Sequence, residues 1–256
     1  MSGATVVSAY YYIAASRNSA ADYKKWMRLF FETVPCHLVF FCEHELVEFV
    51  TECRAAYMDR TRIIVLPRSE WIATTKFSDD FWLRQFYKDP EMAIHSEDMY
   101  KVWYEKKEFV ARAIRMNPFG HEYFVWADAG ILREARLAIS FPLVERIPAK
   151  KMLLLLVDKF YPEHVTPVLY NGVMLCGYDS GDNVGGGVIA GTATNWAKWN
   201  QAYDAVFDKY VCAGLFCGRE ERVMNSVCLE YRRLVHFFHS VSRDRWRDLF
   251  FFLGSK

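Results

Sequence analysis

The sequence has no excess of charge of either sign: 32 Lys and Arg stand against 31 Asp and Glu, a formal net charge of +1, and the two signs are interspersed. That leaves no electrostatic footprint for nucleic acid or an anionic membrane, so no nucleic-acid partner is expected. Long apolar runs are missing too. The longest, MLLLLV at 152–157, is far too short to cross a bilayer, and no transmembrane segment is expected. The opening MSGATVVSAYYY carries no basic leader and no small-residue cleavage site, which argues against a signal peptide. The seven cysteines, at 36, 42, 53, 176, 212, 217 and 228, form no CxxC pair. An odd number without small-domain spacing argues for reduced thiols in a cytosol-like compartment, several of them filling core positions. No repeat, low-complexity tract or linker interrupts the chain. The expected location is cytoplasmic. The aromatic C-terminus RDRWRDLFFFLG either packs on the core, the preferred reading, or touches a membrane peripherally.

What is present is apolar and aromatic. Of 256 residues, 52% are hydrophobic and 17% aromatic, enough for a sizeable core in one domain spanning 1–256. Strand-like and helix-like segments alternate. TVVSAYYYI (5–13), HLVFFCE (37–43), RIIVLP (62–67), EYFVWADAG (122–130), KMLLLLV (151–157) and VLYNGVMLC (168–176) read as strands. A capping box at Ser19–Asp22 opens the first helix, ELVEFVTECRAAY reads as the second, and a long helix runs from about Glu97 to Met116. Further helices are expected at 193–210 and 219–232, while 69–98 is irregular and aromatic. Continuous apolar strands separated by helices predict an α/β fold with a mainly parallel central sheet flanked by helices.

One residue breaks the pattern. Asp128 ends a buried strand, with Gly130 two positions later, where the backbone can turn sharply or approach a ligand. In open α/β sheets ligands bind beyond the carboxyl ends of the strands. A hard cation serving a nucleotide diphosphate wants carboxylate oxygens there; an Asp that caps the next turn is the bland alternative. Other segments with chemistry are Lys106 beside the core stripe of the long helix, and the glycine run at 185–191. The paired acids Glu220 and Glu221 open a helix, where the dipole alone accounts for them. HFFH sets His236 and His239 three apart, on one face if helical. His95, before the long helix, is either pocket-facing or structural. The literal GxGxxA match at Gly185, Gly187 and Ala190 is set aside, because a dinucleotide fingerprint belongs between a first strand and its helix.

The apolar–Trp-x-Asp-x-Gly pattern around Asp128 resembles the Asp-x-Asp region of GT-A nucleotide-sugar glycosyltransferases, with Gly130 in place of the second aspartate. Four ordered blocks resemble the HtrL/YibB (WlaTC) family, which has an inferred glycosyltransferase role. They are TVVSAYYYIAASRNS with DYKKWM, WYEKKEFVARAIRMNPFGHEYFVWADAGILR, VGGGVIAGT and GREERVMNSV, and they cover nearly the whole chain. The resemblance implies a GT-A-like fold, a nucleoside diphosphate sugar as donor, a glycan or other hydroxyl acceptor, and Mn²⁺ or Mg²⁺. It implies Asp128 as metal ligand, completed by His236 or His239. Ala9 and Tyr10 or Tyr11 would meet the base, with Trp126 nearby, and Arg17 and Lys106 the diphosphate. Gly186 and Gly187 would shape the sugar pocket, Asp179 and Asp182 would bind sugar hydroxyls, Asp182 being counted among the catalytic acids, and Glu220 or Glu221 would act as general base. The rival reading is an inactive nucleotide-sugar or glycan-binding module. A phosphatase or nucleotidyltransferase fits less well, since no second carboxylate shares the strand end and no GxSxG is present.

Overall fold

The computed structural model describes residues 3–14, 18–134, 140–240 and 245–254. The strands, in chain order, are β1 (Ala4–Tyr10), β2 (His37–Cys42), β3 (Thr61–Val65), β4 (Tyr123–Ala127), β5 (Met152–Leu156), β6 (Val168–Tyr170), β7 (Val173–Leu175), β8 (Val184–Thr192) and β9 (Val235–His239). The helices are α1 (Ala20–Thr33), α2 (Val47–Cys53), α3 (Ile72–Thr75), α4 (Asp79–Phe86), α5 (Glu97–Met116), α6 (Pro162–Val165), α7 (Ala193–Cys212), α8 (Glu220–Glu230) and α9 (Asp248–Gly254). Seven strands form one sheet in the order β3-β2-β1-β4-β8-β5-β9. All run parallel except β8, which is antiparallel to β4 and to β5. The α/β fold with a mainly parallel sheet is as the sequence predicts.

Alternation along the buried strands divides the core in two. Val7, Val39, Phe124, Trp126 and Leu154 face α5, α7 and α8. Val6, Leu38, Phe40, Val125 and Leu153 face α1, α2 and α9. Leu249, Phe250 and Leu253 of α9 are fully buried, so the C-terminal aromatic segment packs on the core. No helix among the described residues is long and apolar enough to cross a membrane. The cysteines are unbridged, and all but Cys212 are buried.

Local chemistry explains the helix ends. Ser19 and Asp22 form the expected reciprocal capping box on α1. At its other end Arg54, fully buried, donates to the carbonyls of Phe31, Val34 and Cys36 and to the Thr61 hydroxyl. The Phe31 carbonyl lies in the last turn of α1, where Pro35 offers no N–H to meet it.

Two expectations need correction. VLYNGVMLC is not one strand: Asn171 and Gly172, at φ 47° and 83°, fold it into the β6–β7 hairpin. Asn-Gly is the pair that best tolerates positive φ at both turn positions. The HFFH segment is strand β9 at the sheet edge, not a helix, so His236 and His239 point to opposite faces and both are exposed.

Candidate functional site

The strand order reverses between β1 and β4, the place where an open sheet leaves a crevice at its carboxyl edge. A cavity of about 250 Å³ opens there. Its base comes from the ends of β1 (Ala9, Tyr10) and β4 (Trp126, Asp128). From the α5 and α8 side come Trp103, Lys106, Glu220 and Glu221. From the α1 and α9 side come Tyr23, Arg133, Trp246 and Arg247, with Gly186 and Gly187 of β8 between.

β8 reaches this site through a bulge. Its pairing with β5 jumps from Leu154↔Ile189 to Leu155↔Gly185, leaving Gly186, Gly187 and Val188 without partners on β5. On the other side Asp128 N–H donates to the Gly187 carbonyl at 2.9 Å, which fixes Asp128 beside the glycines. A Cβ on Gly186 would stand 2.4 Å from Glu220 Oε1, so the glycine is what admits the carboxylate. The run at 185–191 lies within strand β8.

Lys106 is the hub. Its ammonium donates to Glu220 Oε1, lies 3.0 Å from Asp128 Oδ1 and reaches the Gly186 carbonyl at 3.4 Å. Trp126 Nε1 donates to the same Asp128 oxygen at 2.8 Å. Burial works against the Lys106 charge, but Asp128 and Glu220 outweigh it and hold its pKa well above the usual lysine value. Burial raises the pKa of Glu220 well above the usual carboxylate range against the pull of Lys106. Glu221 is also raised, by burial first, with Arg219 and Lys106 opposing. Its Oε2 has no hydrogen-bond partner among the described residues; Arg219 Nε is 3.4 Å away.

Of the residues expected at the site, Ala9, Tyr10, Lys106, Trp126 and Asp128 line one cavity together with Gly186, Gly187, Glu220 and Glu221. Tyr11 lines it too, but its hydroxyl is committed to the Leu66 carbonyl and its ring is packed against Trp71 and Phe109. Arg17 lies outside the described residues. Asp182 does not line the cavity: it is exposed and pairs with Arg219 at 2.9 Å, and Asp179 is exposed as well. His95 is structural, bound to Asp89 at 2.8 Å and packed on Trp103. No residue of 69–98 lines the cavity, and its Trp71 and Trp82 are core. Gly130 does not adopt positive φ; it sits where a Cβ would be 3.1 Å from the Tyr23 and Trp26 rings.

The expected divalent site fits these residues poorly. Asp128 Oδ1 is shared between Lys106 and Trp126, and neither His236 nor His239 lines the cavity. Among the described residues no group of three or more His, Cys, Asp or Glu is placed to hold an ion. A cation caged by protein ligands alone does not match this donor set.

Sequence reasoning missed Tyr23, Trp103, Arg133, Trp246 and Arg247. Arg133 closes the same short block as Asp128, and an arginine so near a strand-end carboxylate was the available signal. Trp246 and Arg247 had none, since only folding brings the C-terminus over β8.

Comparison with curated proteins yields no match. Across residues 2–255 the chain matches the family described as bacterial protein of unknown function (HtrL_YibB). The chain belongs to the HtrL/YibB family.

Proposed function

We propose that the protein is a GT-A-like glycosyltransferase that moves a sugar from a nucleoside diphosphate sugar to a hydroxyl acceptor at this cavity. The observation that carries the reading is the convergence of Asp128, Lys106, Glu220 and Glu221, from three separate stretches, at the switch point of the sheet. Aromatic rings suited to a base or a sugar face, Tyr10, Trp103 and Trp246 among them, line the same space.

Glu221 is the better general base. Glu220 is tied to Lys106, whereas Glu221 Oε2 accepts no hydrogen bond among the described residues and stands 3.4 Å from Arg219 Nε, and its raised pKa moves it towards neutrality, where a base works best. It takes the acceptor hydroxyl proton as that oxygen bonds to the anomeric carbon. The bond from that carbon to the diphosphate oxygen breaks, and the nucleoside diphosphate leaves with the electron pair. Lys106 holds Asp128 and Glu220 in place beside the reacting sugar. The reading needs no Mn²⁺ or Mg²⁺ on Asp128, and a cytoplasmic location is compatible with it.

The test is release of nucleoside diphosphate from a panel of nucleotide sugars. Glu221→Gln is expected to lower turnover by about 100-fold or more while donor binding stays within a few-fold. Unchanged turnover in that variant contradicts the assignment. Binding of a donor without turnover in the wild type favours the inactive binding module, a reading consistent with Asp128 and Glu220 both being held by Lys106.

A further inference from the structure

Charge in the cavity is divided across the edge of the sheet. Glu220, Glu221 and Lys106 come from the α5 and α8 side, and Asp128 stands at the end of β4 between the two sides. Arg133 and Arg247 come from the α1 and α9 side. Arg133 stacks on Trp26 of α1, its guanidinium carbon 4.3 Å from the ring centroid, and donates to the Gly130 carbonyl at 3.3 Å. Arg247 precedes α9, lines the cavity and has Glu134 Oε1 at 3.7 Å among its contacts. The neighbouring Trp246 carbonyl would lie 3.9 Å from a Cβ on Gly187, so the C-terminal turn comes right up to the β8 bulge.

Lys106 was the cation expected to meet a diphosphate, yet an ammonium has three donors and all three face Glu220, Asp128 and Gly186. A phosphate brought to Lys106 would also meet the carboxylates that surround it. We propose that Arg133 and Arg247 hold the diphosphate of the donor, and that the sugar is thereby directed across the cavity towards Asp128 and Glu221. This rests on the nucleotide-sugar reading above. Guanidinium groups suit the role, since their planar fork matches phosphate oxygens in pairs. It makes the diphosphate site a property of protein cations instead of an ion on Asp128.

The test is calorimetric titration of ADP, CDP, GDP and UDP in EDTA, and again with Mn²⁺. It uses the wild type, Arg133→Met, Arg247→Met and Asp128→Asn, each checked for an unliganded melting transition. The expected result is that one of the four binds in EDTA and weakens about tenfold or more in each arginine variant, while changing less than about threefold in Asp128→Asn. Arg247→Lys, which keeps the charge and loses the fork, gives an intermediate loss and covers the case in which Arg247→Met fails to fold. Binding that needs Mn²⁺ and disappears in Asp128→Asn, with the arginine variants unchanged, overturns the inference and leaves the nucleotide reading standing. No binding of any of the four under either condition overturns the nucleotide reading, and the inference falls with it.

Discussion

Glu105 carries a fully buried carboxyl whose oxygens accept the backbone N–H groups of Ile72 and Ala73, at 3.1 and 2.9 Å. It anchors the start of α3 to α5, next to the hub lysine. Burial pushes its pKa up to about 7, against the two N–H groups, which pull it down. The folded state then holds this proton more tightly than the unfolded chain, whose glutamate titrates near 4.5. Its contribution to stability is most favourable below about pH 4.5, falls as pH rises through the interval to 7, and is level above, a change on the order of 3 kcal/mol. Glu105→Gln should flatten that part of the profile, read as a smaller stability difference between pH 5 and pH 8 in urea unfolding. An unchanged difference would contradict a Glu105 carboxyl held above its unfolded value by burial. At this scale the sequence was informative wherever a residue is odd for its own neighbourhood. Asp128 on an apolar strand was visible for that reason, whereas the paired acids of α8 are ordinary at a helix start and stand out only through the family resemblance. Glu105 was not, because a glutamate in a helix is ordinary until tertiary packing buries it.

At the scale of elements, β8 decides the shape of the site. Two adjacent glycines in its bulge have different surroundings. A methyl on Gly186 collides with Glu220 Oε1 at 2.4 Å and with its carboxyl carbon at 2.8 Å, whereas the nearest atoms to one on Gly187 are Ile131 Cδ1 at 3.4 Å and Asp128 Oδ2 at 3.6 Å. Gly186→Ala should drive Glu220 off Lys106, cost about 1–3 kcal/mol in thermal melts and depress turnover. Gly187→Ala should fold with near wild-type stability. Equal tolerance of both would show that the Glu220–Lys106 contact is not fixed by the bulge. Element type was legible where the apolar period ran long, as in α5 and β4. HFFH reads only conditionally as helix, because a short apolar segment between histidines gives no period to separate helix from strand, and pairing with β5 makes it a strand. The Asn171-Gly172 turn is legible in the sequence, but each apolar arm beside it is only three or four residues long, so the segment reads as one strand.

At the scale of the whole molecule, the parallel order β3-β2-β1-β4 leaves the crevice, and antiparallel β8 brings its glycines to the same edge. The α/β class could be read from alternating segments, but strand order and the placement of Arg133 and Arg247 in one cavity depend on contacts far apart in sequence. The central claim is that this crevice takes a nucleoside diphosphate sugar. The most direct measurement is a thermal-shift screen of nucleotide sugars, their nucleoside diphosphates and the free sugars, on wild type and Trp103→Ala. A ligand at a hundred times its Kd stabilises the folded state by about 2.7 kcal/mol, which for a chain of this size raises Tm by roughly 5–10 °C. Such a shift is expected for one nucleotide sugar, smaller for its nucleoside diphosphate and reduced in Trp103→Ala. No shift with any of them, in protein that melts cooperatively, would contradict the claim.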